Sequence, residues 1–365
     1  MPKRGIGVLN VLRCARWRPL AFGGILICGT VLPAFLFLHS FSSAPAQRAF
    51  YYWKTQWSVS PELLNSLASN RIGRLYMRFF DVEWNEIENA PHPVSPLRFQ
   101  SPAPAGVEVI PVVYIVNAVF LRIGYRDVEL LADHVSAMVS RMAEHQGIAF
   151  QQLQLDCDWS DGSRRNYFHF VDLLDRKLGR EHKIVSSTIR LHQIKYAERT
   201  GIPPASRGML MFYNFGRIVA DSPKSSIFNP DDAGLYASYI AKYPLKLDLV
   251  LPAFSWSVHS REGRVLGLLE NIDEGEVAAF EGFRKLSTSR YSAIRSFFFR
   301  GRYFMSGDLL LMETTTPDIT KQAALLARRG AGWKKSYGTV ALFDLDEKYL
   351  RNYTGAQIES ILGAF

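Results

Sequence analysis

From Gln47 onward the chain repeats one pattern. A short apolar run with strand-like alternation is followed by a longer stretch whose apolar residues recur every three or four positions. Eight runs read as strands, at 49–53, 74–80, 107–113, 152–158, 183–189, 209–214, 247–253 and 338–343. Between them, Val128, Leu131, Val135, Met138 and Met142 form one helix face, and Tyr167, Phe170, Val171, Leu174 and Leu178 form another. Pro61 opens a short helix, and 323–328 and 357–362 read as the last two. Strands alternating with helices predict a parallel sheet covered by helices, and eight such units predict a (β/α)8 TIM barrel over residues 47–365. The spacing breaks once, between strands seven and eight, which lie about 85 residues apart against about 30 for a simple unit. Two β-rich runs, 296–305 and 309–313, fall in the gap and predict a hairpin-bearing insertion at about 261–315. The Pro-rich stretch 90–104 reads as a long loop between strands two and three.

The first 46 residues do not follow this pattern. Residues 20–41 carry no Asp, Glu, Lys or Arg, and 22 residues suffice to cross a bilayer as a helix. Lys3, Arg4, Arg13, Arg16 and Arg18 precede them with no acidic residue, which places the amino end on the cytoplasmic side. Ser42-Ser43-Ala44-Pro45-Ala46 then has the small-x-small form of a signal-peptidase site. Residues 1–46 are therefore expected to be an uncleaved signal anchor, with the body facing the periplasm from the inner membrane, or a signal peptide cleaved after Ala46, with the body secreted. The same five basic residues supply +5 of the formal charge of +9. With no zinc-finger spacing and no basic stripe interleaved with aromatics, a nucleic-acid partner is not expected. Cys157 alone remains in the body, so export has no disulfide to support it.

The chemistry gathers on the fourth strand, Gln152-Leu153-Gln154-Leu155-Asp156-Cys157-Asp158-Trp159. Strand alternation turns Leu153, Leu155 and Cys157 to the helices and Gln152, Gln154, Asp156 and Asp158 to the barrel interior. Two inward carboxylates are costly unless they are paired or functional, and the carboxyl end of a barrel strand is where site residues sit. By the same parity Tyr76 and Arg78 point inward from strand two, with Arg78 the expected counter-ion of Asp156, and Ser186, Thr188 and Arg190 share the inner face of strand five. Asp81 and Glu83 follow strand two; Trp256 and His259 follow strand seven.

These residues resemble family 18 glycoside hydrolases, the chitinase family, whose fourth strand carries Asp-x-x-Asp-x-Asp-x-Glu. Asp156, Asp158 and Trp159 match; Leu153 replaces the first Asp and Ser160 replaces the catalytic Glu. Met211-Phe212-Tyr213-Asn214 resembles the Met-x-Tyr-Asp of strand six, with Asn214 for the Asp, and Phe343 stands near the position of the Trp that floors the sugar site. The resemblance implies that Asp158 orients the acetamido group of a sugar and that Tyr213 hydrogen-bonds it. A Ser160 hydroxyl cannot serve as the acid, because it does not titrate near neutral pH.

The sequence thus points to a carbohydrate-active barrel acting on a cell-envelope or extracellular polysaccharide. Any acid must be another carboxyl: Asp158 and Asp81 lead, with Asp156 beside them and Asp161 and Glu313 behind. Tyr213, Asn214, Trp159, Trp256, Arg78, Arg190 and Phe343 are the expected substrate-binding residues. A glycan-binding barrel that has lost its acid is the alternative, and an envelope protein with no ligand the third. No cofactor is expected. An Asp-rich strand end could take a divalent cation, but no His-x-x-x-His partner accompanies it, so no metal is expected. A reporter fused after Phe365 should be active outside the cytoplasm; activity confined to the cytoplasm would contradict the charge argument.

Overall fold

The computed structural model describes residues 45–214, 218–220, 222–270, 272–332 and 337–365. The expected membrane segment at 20–41 lies outside the described residues; among those described, no helix is long and apolar enough to cross a membrane. Eight strands close into a parallel barrel: β1 (Gln47–Tyr52), β2 (Arg74–Asn85), β3 (Glu108–Ile115), β4 (Gln152–Asp156), β5 (Ile184–Arg190), β6 (Arg207–Met211), β7 (Leu247–Pro252) and β8 (Thr339–Phe343). Each pairs with its sequence neighbour, and β1 pairs with β8, at Gln47↔Thr339, to complete the ring. Three covering helices, Pro61–Ser69, Pro230–Ile240 and Pro317–Ala331, begin with Ser60, Asn229 or Thr316 followed by Pro. The capping side chain takes otherwise orphaned N–H groups, and Pro needs none. The helix Arg164–Gly179 buries the five residues its periodicity picks out. In Val128–His145 the buried face turns slightly, so that Val139 is buried and Met138 and Met142 are only partly so.

The barrel interior is polar where the alternation of β4 predicts it. Gln154 accepts from the Tyr51 hydroxyl, Gln152 donates to Ser186 Oγ at 2.7 Å, and Thr188 Oγ1 donates to Asp156 at 2.6 Å. Tyr51 and Tyr76 stack with centroids 4.9 Å apart. At the amino end, Arg207 makes a two-pronged bond to the buried Asp248 at 2.9 and 2.6 Å, and Asp248 also accepts the Thr339 N–H at 2.8 Å. A Cβ at Gly338 would collide with the Arg207 guanidinium and push it off Asp248. These bonds let polar groups be buried between strands without being left unpaired.

Three expectations change. First, part of the 90–104 loop is a strand: Ala90–Val94 folds back antiparallel on Asp81–Asn85. Second, Arg78 does not pair with Asp156. The register of β2 on β3 shifts between Arg78 and Phe80, so Phe79 is an extra residue. Such a bulge breaks simple alternation. It brings Asp81 beside Arg78, and the two form an ion pair. Third, the extra antiparallel elements start at Ser255 rather than near 261. Ser255–Arg261 pairs with Arg264–Glu270 and with Leu309–Thr314, and Arg290–Ala293 and Phe283–Ser287 complete a five-stranded sheet. Phe297–Phe299 and Arg302–Phe304 form a separate hairpin.

The small sheet has its own apolar cluster, in which Phe283 packs edge-on against Phe297, Phe299 and Phe304. It also has a buried charge centre at Asp308. Asp308 is fully buried and takes Arg261 at 2.7 and 2.9 Å, His259 at 2.8 Å and the Met305 N–H at 2.8 Å. Burial pushes this carboxyl up, but the bonds from Arg261, Met305 and His259 outweigh it and hold it at about 2, below the usual 3.8. A depressed folded-state value means that Asp308 contributes stability above the unfolded value near 4, and that this is lost as pH falls through about 2. Asp308→Ala should cost on the order of 3 kcal/mol, chiefly by stranding the buried His259 beside a partly exposed Arg261. Denaturant melts should show that loss at pH 7, with the gap between wild type and variant closing as pH falls from 4 to 2.

Candidate active site

A cleft of about 350 Å³ opens at the carboxyl end of the barrel. Its walls come from residues at or just past the strand ends: Trp53 and Lys54 after β1, Arg78 in β2, Tyr114 in β3, Asp156 from β4, Arg190 from β5 and Met211, Tyr213 and Asn214 at β6. Phe254, Ser255 and Trp256 follow β7, Phe343 and Asp344 come from β8, and Glu270 comes from the small sheet. Aromatic rings line much of it. Phe343 lies 5.6 Å from Trp53, 5.7 Å from Tyr213 and 5.4 Å from Phe254, centroid to centroid, and Phe254 meets Trp256 at 5.5 Å.

The charged part of the cleft centres on Arg190. Its guanidinium bonds Asp158 through Nε and reaches Asp156 at 3.3 Å through Nη2. Burial pushes the Asp156 carboxyl up and Asp158 adds to this, while Arg190 and the Thr188 hydroxyl oppose the rise. Burial alone would lower Arg190, but the two carboxylates more than reverse that, so it stays a cation. Across the cleft, Arg78 lies 5.5 Å from the centroid of the Trp53 ring and is held by Asp81. Asp344 behaves differently. It is 7% exposed and its Oδ1 has no hydrogen-bond partner. Burial, then the charge of Asp346, push its carboxyl up to about 7; Lys54 opposes this and Glu270 adds to it.

Of the residues expected from the sequence, Asp156, Arg190, Arg78, Tyr213, Asn214, Trp256 and Phe343 are brought together here. Asp158 and Asp81 touch the site through Arg190 and Arg78 rather than lining it. Trp159 does not belong to the cleft. It is 2% exposed, stacked on Tyr167 at 5.2 Å, with its indole N–H donating to Thr200 O at 3.0 Å. Only the resemblance places it in the site; it shares the parity of Leu153, Leu155 and Cys157, which turns it to the helix side where it packs. Glu313 is also engaged: one oxygen accepts from Ser226 N at 2.8 Å, Ser226 Oγ at 2.7 Å and Trp256 Nε1 at 3.1 Å, which ties the small sheet to the loop after β6. Asp161 is an exposed turn residue, and Ser160 is exposed with its hydroxyl near Asn117 and Ser163, both at 3.3 Å. The Tyr213 hydroxyl, raised by burial, donates to Met211 Sδ at 3.3 Å. Among the described residues no group of three His, Cys, Asp or Glu could hold a metal ion.

The sequence reading missed Trp53, Lys54, Tyr114, Phe254, Glu270 and Asp344. All but Glu270 among the missed charged and aromatic residues stand at strand ends, where polar and aromatic residues could have been collected systematically. Glu270 reaches the cleft only because its strand pairs with Ser255–Arg261, which no local pattern signals.

No family model and no curated protein matches the chain. Solved structures do match it. The chitinase from Chromobacterium violaceum ATCC 12472 aligns over 87% of this chain and 99% of its own, with TM-score 0.52 and 14% identity. The Bacillus cereus spore cortex-lytic enzyme SleL aligns over 88% of this chain and 74% of its own, with TM-score 0.50 and 12% identity. At such identities the likeness is one of fold: residues 47–365 contain a (β/α)8 barrel similar to those of a chitinase and a spore cortex-lytic enzyme.

Proposed function

We propose that the protein holds a polysaccharide in the cleft at the carboxyl end of its barrel, and that it does not perform the acetamido-assisted hydrolysis of family 18. The observation that carries this is Arg190, which engages Asp156 and Asp158 together beside an aromatic-lined cleft. Acetamido-assisted cleavage needs a carboxyl to protonate the leaving oxygen and a second to orient the acetamido group. Ser160 offers only a hydroxyl, and Asp158 is bound to a cation. What remains is suited to recognition. Trp53, Tyr213, Phe254, Trp256 and Phe343 offer apolar ring surfaces beside polar groups, the combination that a sugar ring with one apolar face requires.

Asp344 favours a second reading, hydrolysis with a different acid. A cleft carboxyl at about 7 is matched to proton transfer near neutral pH. The basic, apolar and barrel segments in that order support a body outside the cytoplasm, tethered to the membrane or released, and so a cell-envelope or extracellular polysaccharide as ligand.

The purified full-length protein should bind at least one member of a polysaccharide panel. Phe343→Ala should weaken that binding by about tenfold, roughly the 1.4 kcal/mol expected of one aromatic contact. Asp158→Asn should keep the fold and weaken binding. Chitin should release no reducing ends. Release from any glycan that falls by about 10²-fold in Asp344→Asn would establish the second reading. Robust chitin hydrolysis untouched by Asp158→Asn and Asp344→Asn would overturn both.

A further inference from the structure

Three carboxyls (Asp156, Glu270 and Asp344) and three cations (Lys54, Arg78 and Arg190) line the cleft, but each cation is engaged by an acid outside the lining. Lys54 is taken by Asp346 at 3.2 Å, Arg78 by Asp81, and Arg190 by Asp156 and Asp158 together. Asp344 and Glu270 are left with no cation within ion-pair distance among the described residues, and both line the cleft. Glu270 sits at its mouth, exposed, on the strand that pairs with Trp256. Asp344 is more than nine-tenths buried beside Phe343, and its Oδ1 meets no donor. A buried carboxyl with an unused oxygen is costly unless a ligand completes it.

We propose that the cleft takes a glycan bearing free primary amines, a glucosamine-type chain rather than its N-acetylated form, with an ammonium seated against Asp344 and Glu270. The proposal rests on the glycan-holding reading and adds the class of sugar. An ammonium supplies both what Asp344 lacks, a donor and a positive charge. Phe343 and Trp256 stand beside these carboxyls, so the apolar face of a sugar ring can lie on an aromatic while its amine reaches the acid. A neutral acetamido group would leave the surplus charge unmatched, and a uronic acid would be repelled by it.

The test is calorimetric titration of the full-length protein with glucosamine hexamer and with N-acetylglucosamine hexamer. The amine form should bind at least about tenfold more tightly, a difference of roughly 1.4 kcal/mol. The preference should shrink in high salt. Asp344→Asn, an isosteric change, should bring the two hexamers to nearly equal affinity. Glu270→Gln, at an exposed position where folding is not at risk, should reduce the preference about threefold, in keeping with its partial exposure to solvent. Equal or tighter binding of the N-acetylated hexamer by wild type would overturn the proposal and leave the glycan-holding reading standing. So would binding of only some other, neutral polysaccharide. Binding of no glycan would overturn both.

Discussion

Arg190 stands at the end of β5 with one carboxylate of β4 on its guanidinium and a second just past that strand. A buried carboxylate with a second carboxylate two residues away cannot stay ionised without a cation, since burial and the like charge both disfavour its charged form. Arg190 resolves this by bonding Asp158, which is half in solvent, while reaching Asp156, which is not. Thr188, on the same inner face of β5, supplies the remaining bond to Asp156. The polar layers below, Gln154 with Tyr51 and Gln152 with Ser186, continue the same arrangement down the barrel. The carboxylate segment is therefore held as part of the barrel's structure.

The rest of the cleft depends on how separate strand ends converge. Phe343 and Asp344 leave β8, Trp53 and Lys54 leave β1, and barrel closure through the pairing of β1 with β8 makes them neighbours. The small sheet adds Trp256 and Glu270 from its first hairpin. It is held to the barrel through Glu313, whose one oxygen gathers bonds from Trp256 and from the loop after β6. A carboxylate that accepts several N–H and O–H groups is an effective tie between two elements. Glu313 thus positions the wall of the cleft rather than acting in it, and Asp308 does comparable work inside the small sheet.

The barrel was legible in the sequence because its periodicities are local. Alternation over four or five residues and three-to-four steps over a helix turn need no knowledge of distant residues, so all eight strands and the inward set Gln152, Gln154, Asp156, Thr188 and Arg190 could be placed. Parity failed where the backbone departs from regular geometry. The extra residue at Phe79 brought Asp81 beside Arg78; Trp159, assigned to the site by resemblance alone, packs on Tyr167 on the helix side that the parity of Leu153, Leu155 and Cys157 indicates.

The chain by itself determined the alternation of strand and helix, the polar lining of β4 and β5, the absence of a carboxyl at residue 160, and the basic and apolar order of the first 46 residues. The tertiary structure alone decided which cation serves which acid, and that Asp344 and Glu270 share a cleft with no ion pair to either among the described residues. The reason is physical. Hydrophobic periodicity is a property of neighbouring residues, whereas an ion pair is a matter of a few ångströms between side chains on different strands. Barrel closure and one added residue in a strand set those distances.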